Sequence, residues 1–241
     1  MSEAFNFISK RKQPLSLRQK NIQNILWYIL ECYGIILNEC KTYSLSEVKN
    51  SNIKPENYLR NKLVDEYLRK YTHLFKDKFK TEYIFFDKDA EETYIDKGGN
   101  ESTDKIDIYI RNKALQDYWS NKTNVYYAVE CKRIKALSDT QKYISEDTIG
   151  KFIERRHIGF RQPIEGQLAF IEDANITPID VANDINNKLC NNTSTNSLLT
   201  SVEIHETQKC CFISKHNRRF NAKEKFSIYH LLLDYSSIVV N

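Results

Sequence analysis

The strongest constraint on the fold is an apolar run at residues 124–132, which reads NVYYAVECK. Apolar residues occupy successive positions of the run, as in a strand that is buried on both faces of its sheet. Such a strand needs helices above and below the sheet to cover it. The run therefore predicts a central strand of an α/β fold.

Two further strands are predicted before this run. Residues 105–111, KIDIYIR, alternate between apolar and polar with a period of two, which is a strand signal. A turn of polar and aromatic residues at 112–123 is predicted to connect the strand at 105–111 to the central strand. Residues 83–86 form a short apolar run, which predicts another strand, and 87–101 are predicted to be a polar, glycine-containing connection.

Helical periodicity surrounds these strands. Ile22, Ile25, Leu26, Ile29, Leu30 and Tyr33 recur at helical spacing in the first third of the chain. Pro55 favours a helix start, and an apolar stripe continues from it over residues 55–75. The other predicted elements are helices at 145–156 and 178–189, a loop at 191–196, and strands at 166–171, 201–205, 210–214 and 226–235.

No shift in composition marks a domain boundary, so we expect one α/β domain over residues 1–241. It comprises an N-terminal helical extension at 1–52, a core at 55–172, and a C-terminal helix with strands at 173–241. Aromatic residues make up 12% of the chain, too many for a disordered protein.

Charge and cysteine content narrow the class of protein. The net charge is +4, from 36 Lys and Arg against 32 Asp and Glu, so any nucleic-acid contact needs local clustering of basic residues. The six cysteines contain no CxxC pair, which favours free thiols over a zinc site. No run approaches the ~18–20 apolar residues of a membrane span, and the N-terminus lacks signal-peptide features. We therefore expect a cytoplasmic protein with no membrane partner.

The candidate chemistry lies on the two middle strands. Glu130 and Lys132 are two residues apart, so their side chains are expected on one face. In an antiparallel hairpin, Asp107 would lie beside Glu130. Two carboxylates and the carbonyl of Cys131 would offer oxygen ligands to Mg²⁺, and Lys132 could orient or deprotonate a water. Taken singly, Asp107 could instead be a solubility residue on an edge strand, and Glu130 and Lys132 could be a surface ion pair. Asp104 is the second candidate for the metal-binding aspartate of this strand.

Asp107 followed by Glu130-x-Lys132 resembles the active-site motif of the PD-(D/E)XK nuclease superfamily, which has the restriction-endonuclease-like fold. The order helix, three-stranded meander, helix, strand over residues 55–172 is similar to the core of that family; Ile106 stands where the name-giving proline would be. The resemblance implies Mg²⁺-dependent hydrolysis of phosphodiester bonds in DNA, with Mn²⁺ as a substitute and RNA not excluded. It also implies bacterial restriction, repair or anti-phage defence.

Members of this family often carry another acidic residue on the first core helix. At about 100° per residue, Glu56 falls within the apolar, sheet-facing stripe, Glu66 lies at its edge and Asp65 points away. Glu56 is therefore the candidate. The alternative is that Glu56 only complements the helix dipole after Pro55.

Basic residues cluster after the motif. Lys142, Lys151, Arg155, Arg156 and Arg161 are interleaved with aromatic residues, a pattern that suits contacts with the DNA backbone. The alternative is a solvated helix face. No chemistry is assigned to the Ser214–Arg219 stretch, and a lone histidine such as His230 is more often a core residue than a ligand.

Three functions stay open at this level. A nuclease is favoured, whether as a homodimer or alone. A non-catalytic nucleic-acid-binding or assembly subunit of a defence complex would use the same fold, with residues 1–52 for docking. Hydrolysis of another phosphoester is the third, although no glycine-rich phosphate loop is present.

Overall fold

The structure is a computed structural model. It describes residues 2–80, 84–96, 98–112, 125–145, 149–154, 156–157, 160–161, 164–219 and 225–240, with side chains for all of these except 2–18, 112, 125, 156–157 and 160–161.

Six α-helices and eleven strands are described. The helices are α1 (Ser2–Asn38), α2 (Pro55–Leu63), α3 (Thr72–Phe79), α4 (Thr140–Ile144), α5 (Ile149–Glu154) and α6 (Pro178–Leu189). The strands are β1 (Tyr43–Ser44), β2 (Ile84–Ile95), β3 (Glu101–Asn112), β4 (Val125–Ile134), β5 (Arg156–His157), β6 (Phe160–Arg161), β7 (Ile164–Ile171), β8 (Thr195–Ser201), β9 (Cys211–Asn217), β10 (Lys225–Asp234) and β11 (Val239–Val240).

One mixed sheet organises the chain, in the order β5-β2-β3-β4-β7-β10-β9-β8, with β6 beside β4. Strands β2, β3 and β4 form an antiparallel meander, and β7 joins β4 in parallel. Strand β10 then runs parallel to β7, while β9 and β8 return antiparallel. The predicted α/β class is confirmed.

Helices cover both faces of the sheet. Residues of α1, α2 and α3 pack with the strands in the larger core cluster, for example Ile25 and Leu59 against Leu168. Residues of α4, α5 and α6 pack on the other strand face in a second cluster, for example Phe152 and Ile185 against Leu232. The segment predicted as a helical extension therefore contributes directly to the main core.

The predicted helix at 55–75 is interrupted. Helix α2 ends at Leu63, a π-helical turn follows over Val64–Leu68, and α3 begins only at Thr72. The apolar stripe nevertheless stays on one side, because Leu63, Val64 and Leu68 all belong to the main core.

The prediction of a connection at 87–101 was wrong, because β2 continues to Ile95 and pairs with β3 at each of its residues except Asp89. Pairing with β3 satisfies the backbone of these polar residues, so they need no apolar pattern. The turn is correspondingly short. The Asp96 carboxylate accepts from the backbone N–H groups of Gly98 and Asn100, and Gly99 adopts a φ of +83°, which glycine tolerates.

The predicted helix at 145–156 is instead the pair α4 and α5, followed by the two-residue strand β5, which pairs with β2. The strand predicted at 201–205 lies earlier, over Thr195–Ser201, partly within the predicted loop. Asn186 accounts for this shift: its side-chain amide both donates to the carbonyl and accepts from the N–H of Leu199.

Other predictions hold closely. Helix α6 has the predicted bounds of 178 and 189, and Thr177 caps it by accepting from the N–H of Asp180. Strands β7, β9 and β10 lie within three residues of their predicted bounds. All six cysteines are free thiols. Among the described residues, no helix has the length and apolar character needed to cross a membrane.

Gly166 is required by close packing in β7. A Cβ atom there would lie 2.6 Å from the Tyr127 hydroxyl and 2.7 Å from Cγ2 of Val129, both in the core. Gly166→Ala is expected to lower the free energy of unfolding by about 1–3 kcal/mol through overpacking, measured by urea denaturation. Gly34→Ala in α1 is the matched control: its Cβ would meet only Gln208 at 3.4 Å, so stability should rise by up to about 1 kcal/mol. Equal effects would contradict the packing account.

Candidate functional site

The candidate site lies where β3 separates from β4. The ladder between them joins Ile108–Ile110 to Tyr127–Val129. Immediately beyond it, the Asp107 carboxylate accepts from the backbone N–H of Cys131 at 2.8 Å. A side chain thus satisfies a backbone donor that a continued ladder would have paired.

The alternation of β3 is broken at Asp107. Ile108 belongs to the main core, whereas Ile106 packs with Tyr126 and Ala128 in a small separate cluster. In an unbroken strand, residues 106 and 108 would share one face. Asp89, opposite this break on β2, adopts a left-handed φ of +53°. The break places Asp107 toward α2.

Arg60 of α2 holds this junction together. Its guanidinium is 1% exposed and donates to both Asp89 carboxylate oxygens at 2.8 Å and to Asp107 Oδ1 at 3.2 Å. A buried charge of this kind is tolerated only when it is paired and hydrogen-bonded. Sequence reasoning missed Arg60. The available signal was its position four residues after Glu56, on the same face of the helix.

Glu56 and Lys132 form the second contact at the site. Lys132 Nζ lies 3.2 Å from Glu56 Oε1, and the N–H of Arg133 donates to Glu56 Oε2 at 3.2 Å. Burial raises the pKa of Glu56, and the nearby negative charge of Asp107 raises it further, against the opposing effect of Lys132. The structure therefore brings Glu56, Asp107 and Lys132 together from a helix and two strands.

Lys132 is held in its charged form. Burial alone would lower its pKa, but the charges of Glu56 and Asp107 outweigh that effect, and the net pKa is raised. The ammonium is thus a fixed positive charge beside two carboxylates. The structure supports orientation and charge stabilisation by Lys132 better than proton abstraction.

Glu130 lies in a different set of contacts. It is 3% exposed, and Lys151 Nζ lies 2.7 Å from Glu130 Oε1 and 2.7 Å from Asp104 Oδ2. Glu130 and Asp104 therefore share Lys151 as their ion-pair partner, whereas Asp107 forms its ion pair with Arg60. Asp104, the second choice for the catalytic aspartate, belongs to the Glu130 cluster.

The predicted DNA-binding residues fall in different environments. The Lys142 side chain is 82% exposed, with its ammonium 3.6 Å from Asp139. The Lys151 side chain is only 5% exposed, inside the cluster with Glu130. Arg156 and Arg161 lie in strands β5 and β6, and only their backbones are described. Arg155 lies outside the described residues.

A divalent ion fits the oxygen donors at the junction in part. Across the described residues, no cluster of three or more His, Cys, Asp or Glu side chains has a metal-holding arrangement. Burial is the main cause of the raised pKa of Glu56, and the negative charge of Asp107 adds to it, so a cation near both carboxylates would favour their charged forms. Each carboxylate has about four lone-pair sites. The Cys131 thiol has a strongly raised pKa through burial, so Cys131 would contribute its carbonyl oxygen.

A row of buried polar side chains crosses the sheet under α4. His230 Nδ1 pairs with the Tyr143 hydroxyl at 3.0 Å, and its Nε2 pairs with the Ser214 hydroxyl at 2.8 Å. The same hydroxyl lies 2.7 Å from His216 Nε2. His230, as expected, is a hydrogen-bonded core residue, and part of the Ser214–Arg219 stretch belongs to the same row.

The two histidines of this row, His216 and His230, are neutral at pH 7. Burial lowers the pKa of His216 to about 4, with a further contribution from Arg218, and lowers that of His230 well below its usual value. The unfolded chain therefore binds more protons as the pH falls below about 6.5, and the folded state loses stability from there toward pH 4. For His216 alone the loss is on the order of 3 kcal/mol.

This pH dependence is measurable by urea unfolding between pH 5 and 7. His216→Gln should flatten the slope, because the titrating group is removed, whereas His73→Gln on the exposed surface of α3 should keep it. A free energy of unfolding that is equal at pH 5 and pH 7 would contradict the burial of neutral histidines.

In comparisons with known proteins, no family model, curated protein or solved structure matches the chain. The resemblance to the PD-(D/E)XK superfamily therefore depends on Asp107, Glu130, Lys132 and the order of elements around them.

Proposed function

We propose that the chain is a Mg²⁺-dependent nuclease that hydrolyses phosphodiester bonds of DNA. The observation that carries this proposal is the meeting of Glu56, Asp107 and Lys132 where β3 leaves β4. Glu56 and Asp107 precede Lys132 by 76 and 25 positions in the chain, and three separate elements position the three residues. Two carboxylates beside a charged lysine suit metal-assisted phosphodiester hydrolysis.

Each residue has a distinct role in this proposal. Glu56 and Asp107 would hold the ion with the Cys131 carbonyl, and the family resemblance implies Glu130, which lies beside Lys151, as a further ligand. When bound, Mg²⁺ supplies Lewis-acid stabilisation of the phosphate and a more acidic water. Lys132 orients the attacking water and stabilises the charge that develops on the phosphate. Arg60 fixes the Asp107 carboxylate, and Lys142 contacts the DNA backbone.

The biological setting follows from the resemblance. Restriction, repair or anti-phage defence in the bacterial cytoplasm suits a nuclease of this size, with DNA preferred to RNA as substrate. Supercoiled plasmid should be nicked or cut by the purified protein with Mg²⁺ or Mn²⁺ and stay intact with EDTA. Asp107→Asn protein, purified in parallel, controls for contaminating nucleases; cleavage at the same rate by both proteins would refute the proposal.

A non-catalytic subunit is the second candidate, and one observation favours it. Arg60 and Lys151 already pair with Asp107 and Glu130, so internal cations balance both predicted metal ligands. Such pairs are sufficient to keep buried carboxylates in place without a metal. Titration calorimetry with Mn²⁺ separates the two functions: no metal binding together with no cleavage would favour the binding or assembly subunit.

A further inference from the structure

A groove lined by both apolar and polar side chains lies on the outer half of the sheet, on strands other than those of the Glu56–Asp107–Lys132 site. It has a volume of about 620 Å³ and is formed by β8, β9, β10 and the start of β7, with Gln19 of α1 at one side. Pockets that bind ligands typically enclose about 300–1,000 Å³. The groove is therefore large enough to hold part of a ligand.

Strand register aligns polar side chains across the floor of this groove. Lys215 on β9 is paired with Ser197 on β8 and with Ser227 on β10, and Ser227 is paired with Ile164 on β7. Paired residues on neighbouring strands share a face. One row thus presents a hydroxyl, an ammonium and a second hydroxyl side by side, and Thr200 adds another hydroxyl beside it.

The groove is positive. Lys215 and Lys225 are both exposed, and no Asp or Glu occurs among the described residues that line it. Lys225 is paired with Asn217, two residues from Lys215 on the neighbouring strand. Such diagonal neighbours are about 7–8 Å apart, so the two ammonium groups can contact one short stretch of a ligand.

The aromatic residues of the groove are not available for stacking. Tyr229 is 1% exposed and Phe226 is 2% exposed. The described residues that line the groove therefore offer no exposed ring on which bases could stack. What it offers to a ligand is two positive charges and a set of hydroxyl and amide donors, which are the groups that contact phosphate oxygens in protein–nucleic acid complexes.

We propose that this groove binds the sugar–phosphate backbone of a nucleic-acid strand without preference for base sequence. The proposal rests on the proposed nuclease function, because it gives the substrate of that site a second contact surface. An acidic polypeptide is the competing ligand. Lysine and serine are depleted at protein–protein interfaces, which are instead enriched in aromatic residues and methionine, so the composition of the groove favours nucleic acid.

The test is fluorescence anisotropy of a labelled single-stranded dT20 oligonucleotide in EDTA, where no cleavage can occur. Lys215→Ala/Lys225→Ala protein is compared with Lys49→Ala/Lys76→Ala protein, which loses the same charge from exposed positions elsewhere. The groove variant should bind more weakly, and its plot of log affinity against log salt should be shallower by about 1.4, from two lost phosphate contacts on a single strand. Circular dichroism and thermal unfolding confirm that each variant is folded.

Several results would overturn the proposal. One is that the two double variants bind dT20 with equal affinity and equal salt slope. Another is that the groove variant loses binding to poly-glutamate but keeps binding to dT20. A mixed-sequence 20-mer that bound far more tightly than dT20 would exclude recognition of the backbone alone. Because binding is measured without metal, failure of the groove proposal and failure of the nuclease proposal are distinguishable. If the protein does not cleave DNA but the groove variant still shows the predicted decrease in salt slope, only the nuclease proposal is refuted.

Discussion

Lys132→Ala is expected to slow Mg²⁺-dependent cleavage of plasmid DNA by about 10²–10³-fold, the effect of losing one group that stabilises developing charge. The substitution removes the fixed positive charge that lies 3.2 Å from Glu56 and beside Asp107. It also takes away the cation that lowers the pKa of Glu56, so that carboxyl would retain its proton more strongly and hold metal less well. Single-turnover assays at several Mg²⁺ concentrations would separate the loss of metal binding from the loss of the chemical step.

Lys76→Ala on the exposed face of α3 is the matched control and should cleave at the parental rate. Lys132→Arg provides a second comparison, because it keeps the charge but changes its position. If Lys132→Ala protein cuts as fast as the parent, the role assigned to this lysine is wrong. If both alanine variants lose activity and stability together, the effect is one of folding, and thermal unfolding of each would show it.

Arg218→Met is expected to lower the free energy of unfolding by about 3–5 kcal/mol. Arg218 is 4% exposed, lies 2.8 Å from the fully buried Glu165 and stacks over the Phe226 ring at 4.0 Å. Methionine keeps much of the apolar contact but removes the guanidinium that balances the Glu165 charge. Urea denaturation at pH 7 measures the loss.

The neighbouring arginine gives a direct comparison. Arg219 makes an ion pair with Glu154, but its side chain is 69% exposed, so Arg219→Met should cost no more than about 1 kcal/mol. Combining Arg218→Met with Glu165→Gln should recover part of the loss, because the buried charge is then gone. Equal losses from the two arginine substitutions would contradict the importance of burial.

Periodicity predicted the elements whose stability is local. Helix α6 has a proline at its first position, a Thr177 cap and an apolar face, and its bounds were predicted correctly. Strand β2 was predicted too short because its second half is polar and owes its conformation to pairing with β3. Strand β8 was displaced for a similar reason: the hydrogen bonds of the Asn186 side chain to the Leu199 backbone fix where it lies.

At the candidate site, residue types could be predicted but their pairing could not. The helical-face calculation selected Glu56, and the structure places it beside Lys132. The prediction that Asp107 lies beside Glu130 assumed that the antiparallel hairpin continues past the ladder, but the regular conformation of β3 breaks between Ile106 and Ile108. Arg60 and Lys151 then pair with the two carboxylates, and such choices depend on three-dimensional proximity that spacing in one strand does not encode.

The buried hydrogen bonds among His230, Ser214 and Tyr143 also help to specify the register of strand β10. Strand β10 reads KFSIYHLLLD, and its leucines would fit either face of the sheet. A shift of β10 by one residue against β7 would still bury apolar side chains. It would, however, turn His230 to the opposite face of the sheet and leave its two ring nitrogens without these hydrogen-bond partners. The hydrogen bonds at 2.8 and 3.0 Å, to Ser214 on β9 and Tyr143 on α4, thus favour one alignment of β10 over its neighbours.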